Sequence, residues 1–120
     1  MVLATRSTTV DLVVDAVSRA YVAAVGTAVV GDDMTALDVP GRAVVAPDLG
    51  VVECVVDDDE AVADIGPAVS RLAAAGWAVT VLVPSARLGE AHRDLRGRPA
   101  MLQGWWIEDG SPHFGGHEIP

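Results

Sequence analysis

Two β-branched runs joined by a helical segment constrain the fold of this 120-residue chain more than any other feature. Val51–Val56 is apolar on both faces, which is typical of an interior strand that is covered on both sides. Trp77–Val83 is a second apolar strand, and apolar residues recur at helical spacing between them, from Val62 to Leu72. Strand, helix and strand in this order predict a βαβ crossover, in which both strands run parallel in one sheet.

An amphipathic helix is predicted near the N-terminus. Val10–Val25 carries apolar residues on one stripe and polar residues on the other. Thr8 or Thr9 can cap the start of this helix, and Gly26 can end it. Residues 27–30 fit either a short strand or a continuation of the helix.

The rest of the chain adds strands and helices around the crossover. The β-branched run Arg42–Ala46 is predicted to be a strand, and it should form a hairpin with the interior strand Val51–Val56. In the next helix, Pro67 predicts either a kink or a restart of the helix with Asp64 as its cap. A helix around Leu88–Leu95 and a strand over Ala100–Ile107 complete the pattern.

The predicted fold class is therefore α/β. Residues 1–110 are expected to form a single domain, a mixed sheet flanked by helices in the order αβββαβαβ. Residues 111–120 are expected to form a C-terminal tail, which is either a short hairpin arm or irregular.

The charge balance narrows the range of partners. The formal net charge is −9, and all 8 basic residues are arginines. Affinity for nucleic acid depends largely on cationic side chains that neutralise phosphates, so the composition argues against a nucleic-acid partner. Polar residues recur through the apolar N-terminal helix, which argues against a membrane span.

Composition also indicates a compartment and a source. Cys54 is the only cysteine, so no disulfide can form within the chain and a reducing compartment is expected. The N-terminal residues are too few and too polar for the core of a signal peptide, and a cytoplasmic location is the expectation. Arginine as the sole basic residue type, with abundant alanine and valine, is typical of a GC-rich bacterial genome.

Two carboxylates interrupt the predicted hairpin, Asp48 in its turn and Glu53 in its second strand. Glu53 shares a strand face with valines, where an ionised and unpaired carboxylate costs several kcal/mol. A two-residue turn would set Ala46 opposite Glu53 and leave Asp48 about 7 Å away on the same face. Two oxygen ligands at that spacing suit a hard divalent cation.

Pro47-Asp48, with Glu53 on the next strand, resembles the PD-(D/E)xK motif of the restriction-endonuclease-like nucleases and Holliday-junction resolvases. The predicted element order from about residue 10 to residue 83 is also similar to the core of that family. The acids of the family bind magnesium and activate a water. The resemblance thus implies a Mg²⁺ or Mn²⁺ site at Asp48 and Glu53.

The chain departs from that motif at the lysine. Val55 holds the position, and the chain has no lysine that could replace it. A cation there would help to position the attacking water and stabilise the transition state, and valine does neither. No catalytic residue is assigned, and the expectation leans against an enzyme. In the purely structural alternative, Asp48 holds the turn and Glu53 pairs with an arginine from a covering helix.

Trp105 and Trp106 are the candidate partner contacts. Adjacent residues on a strand point to opposite faces, so one tryptophan fills the core while the other faces outward. Exposed aromatic residues anchor interfaces, although the tail from residue 111 could instead fold over the outward ring. His113 and His117 are four residues apart, but Phe-Gly-Gly between them argues against a helical pair of metal ligands.

Together, these features predict a non-catalytic interaction or scaffold domain without a cofactor, which forms a homo-oligomer or binds a protein partner. The alternative is a divalent-metal-dependent nuclease that acts on DNA through Asp48 and Glu53.

Overall fold

The computed structural model describes residues 8–26, 28–31, 42–57 and 61–120. They form a six-stranded mixed sheet, three α-helices and three short 3-10 turns. The helices are α1 (Thr8–Val25), α2 (Gly66–Ala74) and α3 (Leu88–Asp94). The strands are β1 (Val29–Gly31), β2 (Arg42–Ala46), β3 (Val51–Val55), β4 (Ala78–Pro84), β5 (Met101–Glu108) and β6 (Ser111–Glu118).

The strands lie side by side in the order in which they follow along the chain. β3 pairs with β4 in parallel, as the crossover predicts, and β4 pairs with β5 in parallel as well. The other three pairs are antiparallel. The predicted α/β class and its order of elements are confirmed, and β6 follows as one further strand.

Helices cover both faces of the sheet. α1 packs on one face, called the α1 face below, against Val44, Val55, Leu82 and Trp105. α2 and α3 pack on the opposite face, where the buried sheet residues are all apolar. The sheet side chains buried on that second face are Ala43, Val45, Val52, Cys54, Val79, Val81, Val83 and Leu102.

The first helix matches the sequence pattern. Its apolar stripe, which includes Val10, Val13 and Val17, is buried against the sheet. The helix ends at Gly26, whose φ of 88° is a conformation that glycine adopts without a steric penalty. Residues 29–31 form a strand, so the strand alternative holds for that segment. Within the described ranges, no helix is both long and apolar enough to cross a membrane.

Pro67 lies in the first turn of α2 and does not kink the helix. A 3-10 turn, Val62–Ile65, precedes α2, so the chain restarts its helix as one alternative predicted. Ile65 rather than Asp64 is the N-cap residue, and it makes no side-chain cap. Proline is tolerated in a first turn because the missing N–H has no helical partner there.

The turn between β2 and β3 differs from the predicted two-residue loop. Ala46 pairs with Val51 and Val44 pairs with Glu53. The connection is a 3-10 turn, Pro47–Leu49, followed by Gly50. Proline at the start of the turn fixes a helical φ, and the N–H of Gly50 bonds to the carbonyl of Pro47. The loop is thus longer by two residues, and Asp48 leaves the strand.

Residues 111–118 form the hairpin arm, which is one of the two alternatives predicted for the C-terminal tail. β6 pairs with β5 from Ser111 to Glu118. The pairing slips by one residue in the middle: Trp105 pairs with Phe114, whereas Gln103 pairs with His117. Two residues of β6, at positions 115 and 116, therefore face one residue of β5, which is the arrangement of a β-bulge.

Candidate functional site

The buried polar side chains of the described residues lie together on the α1 face. Glu53 is 7% exposed and Thr80 is 8% exposed, and the two are paired neighbours on β3 and β4. The opposite face of the same strands buries only apolar side chains. An acid in such a position costs free energy unless its surroundings compensate it, which makes its neighbours informative.

Glu53 opens into a recess of about 280 Å³ between α1 and the β5–β6 hairpin. This cavity is called the Glu53 recess below. One side is formed by the C-terminal half of α1, and the other is formed by β6. The lining side chains are Val17, Ala20, Tyr21, Glu53, Gln103, Phe114 and His117.

Helix α1 supplies the hydrogen-bond partner of the acid. Tyr21 continues the buried stripe of the helix, and its hydroxyl donates a hydrogen bond to Oε2 of Glu53. The described part of the chain supplies no partner for Oε1 of Glu53. The predicted arginine partner is wrong, because the covering helix contributes a phenol and its arginine, Arg19, pairs with Asp15. Glu53 is thus held at one oxygen and retains acceptor capacity at the other.

Burial dominates the titration of this site. It raises the pKa of Glu53, while the Tyr21 hydrogen bond and the charge of His117 act in the opposite direction. Burial, followed by the hydrogen bond and charge of Glu53, raises the pKa of Tyr21 well above its usual value. Tyr21 therefore remains a proton donor at any physiological pH, and Glu53 titrates at a higher pH than an exposed glutamate.

The β-bulge brings two side chains of β6 into the Glu53 recess. Phe114 and His117 are three residues apart, and in a regular strand they would point to opposite faces. The extra residue at 115–116 places both on the α1 face. Gln103 stabilises this conformation, because its Nε2 donates a hydrogen bond of 2.9 Å to the carbonyl of Gly115.

The proposed metal ligands are not arranged as the sequence predicts. Asp48 lies in the exposed 3-10 turn beyond the end of β2, whereas Glu53 is buried in the middle of β3. The predicted register, with Ala46 opposite Glu53, is wrong. Among the described residues, no three histidine, cysteine or carboxylate side chains gather to hold a metal ion.

The two tryptophans separate as the alternation of a strand predicts. Trp105 is 4% exposed and belongs to the core under α1. It is therefore wrong as a partner contact. Trp106 is 40% exposed, and the ring of His113 stacks on it with a centroid distance of 5.8 Å. The β6 strand covers one side of Trp106 and leaves the rest open to a partner.

A second cavity, of about 380 Å³, lies near the start of β4 and β5. Among the lining residues that the structure describes, the only polar side chain is that of Arg98, which is exposed and donates a hydrogen bond to Ser70. The Glu53 recess is the better candidate, since it combines a buried acid with several polar side chains.

The sequence identified Glu53 and missed the residues around it. In the sequence, Tyr21 is one more member of the apolar stripe of Val10–Val25, and nothing near Gln103 distinguishes it from an ordinary strand residue. Gly115-Gly116 is the signal that could have placed His117, because paired glycines inside a strand often mark a bulge.

No protein-family model, curated protein or solved structure matches the chain. The restriction-endonuclease-like relationship stays a prediction from the motif.

Proposed function

We propose that the chain is a non-catalytic binding domain and that the Glu53 recess takes up a small polar molecule. A cytoplasmic location, expected from the single cysteine, is part of this proposal. The proposal combines the interaction role expected from the sequence with a defined site.

One observation carries the proposal: a buried carboxyl group reaches an open cavity with one of its oxygens unbonded by the described residues. Glu53 Oε1 is not among the buried unpaired side-chain atoms of the described residues, so it is accessible from the cavity, where a ligand can supply the donor that it accepts. Binding sites commonly set a few polar groups among apolar walls in this way, at some cost to stability.

Binding is favoured over catalysis by the chemistry of the neighbouring groups. Tyr21 is held in its protonated form, so it is not available as a base or nucleophile. Cys54 points to the opposite face of the sheet, and burial followed by the charge of Glu53 raises its pKa to about 12. The described residues thus provide no activated nucleophile beside the acid.

Filling the cavity tests the proposal. Ala20 lines the Glu53 recess from α1, and Ala20→Phe should occupy it with an aromatic ring. We expect ligand-observed NMR with a panel of small acids, amines, alcohols and amides to detect saturable binders of the native chain. Ala20→Phe should abolish their binding.

A matched control lies on the same helix. Ala23 is exposed and does not line the cavity, so Ala23→Phe should leave binding unchanged. The proposal fails if no compound binds, or if both phenylalanine variants bind the panel as the native chain does.

Self-association at Trp106 is a second candidate, favoured by the exposed part of its ring. Sedimentation velocity at increasing concentration should show a homo-oligomer that Trp106→Ala weakens by about tenfold or more in dissociation constant. A chain that stays monomeric at millimolar concentration would exclude this candidate, and the recess proposal would be unaffected.

A further inference from the structure

We infer that the ligand of the Glu53 recess is a small organic cation, a primary ammonium group that carries a short apolar chain. This inference rests on the proposed function, since it names the chemical class that the same cavity would bind. Three features of the lining lead to it: its hydrogen-bond acceptors, its charge and its apolar walls.

Two side chains of the cavity offer acceptors to a ligand. The hydroxyl hydrogen of Tyr21 is donated to Glu53, and one of the two amide hydrogens of Gln103 is donated to Gly115. Glu53 retains Oε1, and Gln103 retains its side-chain carbonyl oxygen. A ligand that supplies several donors from one atom matches this set, and a primary ammonium group supplies three.

The charge of the cavity has one sign when His117 is neutral. Among the described residues that line the cavity, Glu53 is the only carboxylate and none is an arginine. The chain has no lysine, and its formal net charge is −9. An anionic ligand would meet a buried carboxylate without a cation to balance it, which is a strongly unfavourable arrangement.

The remaining walls are apolar and aromatic. Val17 and Ala20 line the α1 side, and the ring of Phe114 lies on the β6 side. An alkyl chain can lose its contact with water against these residues, at about 25 cal/mol per Å² of apolar surface. The rings of Phe114 and Tyr21 also favour a cation over a neutral group of the same shape.

The affinity should rise with pH. The titratable groups that act on Glu53 are Tyr21 from α1 and His117 from β6, and Thr80 beside it does not titrate. Burial raises the pKa of Glu53, so the acid loses its negative charge at a higher pH than an exposed glutamate does. The loss of this charge weakens the binding of a cation as the pH falls.

Three probes of nearly equal shape test the charge preference: n-butylammonium, 1-butanol and butyrate. Each is titrated into the uniformly ¹⁵N-labelled full chain, and the dissociation constant is taken from shifts of residues lining the Glu53 recess. At pH 7.5 we expect n-butylammonium to bind at least about tenfold more tightly than 1-butanol. Butyrate should give no saturable shift, and the n-butylammonium affinity should fall as the pH is lowered from 7.5 toward 4.5, the ordinary pKa of a glutamate.

Substitutions test whether Glu53 and the cavity are responsible for the binding of n-butylammonium. Glu53→Gln keeps the size of the side chain and an acceptor for Tyr21, so n-butylammonium should bind it no better than 1-butanol does. Ala20→Phe should abolish all shifts, with Ala23→Phe as its control. The pH titration of the native chain gives the same information if Glu53→Gln does not fold.

Different results of these titrations would contradict the cation inference and the proposed binding function. If 1-butanol or butyrate binds as well as n-butylammonium and Ala20→Phe abolishes that binding, the cavity is a binding site but the cation inference is wrong. If neither these probes nor the wider panel produces a saturable shift, the proposed function fails as well. An n-butylammonium affinity that does not change with pH or with Glu53→Gln would also overturn the inference.

Discussion

The two faces of the sheet are built from the same strands but differ in what they bury. On the side of α2 and α3, the central strands present valine, leucine and cysteine side chains to a continuous apolar core. On the α1 face, the same strands bury Glu53 and Thr80 next to an open cavity. Of the described helices, α1 alone covers the α1 face, and it leaves space toward the β5–β6 hairpin.

The difference indicates a division of roles within one sheet. Burial of apolar side chains supplies favourable free energy of folding. On the face with two helices, all the buried sheet side chains are apolar and contribute to it. The face with one helix retains a buried acid that opposes folding when it is ionised. A stable core on one side allows such an acid to persist on the other, which is the usual relation between a scaffold and a site.

The largest effect is expected from placing an acid on the apolar face. Val81 is fully buried there, and Val81→Asp would introduce a carboxylate without a polar neighbour. We expect a loss of about 4 kcal/mol or more, and hence unfolding at pH 7, measured by circular dichroism and urea titration. The control, Val81→Ala, should lose about 2 kcal/mol and remain folded. If Val81→Asp is folded at pH 7 and unfolds cooperatively in urea, the proposed difference between the two faces of the sheet is wrong.

Tyr21→Phe should produce the next largest effect. The change removes the hydroxyl that donates to Glu53 and leaves a buried carboxylate without that donor. We expect a loss of about 2 kcal/mol in the free energy of unfolding at pH 8. The loss should become smaller in acid, where Glu53 is protonated, and smaller in a Glu53→Gln background. Equal losses at pH 8 and pH 5 would show that the hydroxyl does not act through the acid.

Glu53→Gln should stabilise the protein on the order of 1 kcal/mol at pH 8. The folded-state pKa of Glu53 is raised by burial, so the native chain loses stability as the pH rises from the unfolded value, about 4.3, through the folded value. The amide does not ionise and escapes this loss. Thermal unfolding of both chains from pH 4 to pH 8 measures the difference, which should vanish at the acidic end.

The smallest effect is expected at Asp48. The residue is exposed in the turn, so Asp48→Asn should change the free energy of unfolding by less than about 0.5 kcal/mol. We also expect 5 mM Mn²⁺ to leave the melting temperatures of the native chain and of Asp48→Asn equal to their metal-free values. A Mn²⁺-dependent rise that both Asp48→Asn and Glu53→Gln abolish would support the nuclease alternative instead.

Much of the fold follows from local patterns in the sequence. The interior strand, the crossover and the terminal glycine of α1 each depend on periodicity or on a single backbone requirement, and the structure confirms them. The β2–β3 register does not follow in this way, because Pro47 initiates a 3-10 turn that lengthens the loop. The predicted register is therefore wrong by two residues. A shift of two residues leaves each strand side chain on its predicted face, but Asp48 lies in the turn and not beside Glu53.

The candidate site follows from the sequence only at Glu53. A lone acid in an apolar strand is visible in any sequence, whereas its partners come from three other elements. Tyr21 is brought to it by the packing angle of α1, and Gln103 by the pairing of β5 with β4. Such long-range contacts leave no periodic signal, so the site emerges only after the sheet and the helix are assembled.

The β-bulge of the outer strand lets the cavity tolerate a difference of one residue in chain length. Deleting Gly116 would restore regular alternation from Phe114 onward, and the imidazole that now belongs to His117 would then lie two residues after Phe114. Residues two apart share a face, so the ring would stay on the α1 face, opposite Gln103, and the cavity would keep this wall. Homologous chains with a one-residue gap at this point should therefore bind the same ligands where every other lining residue is identical.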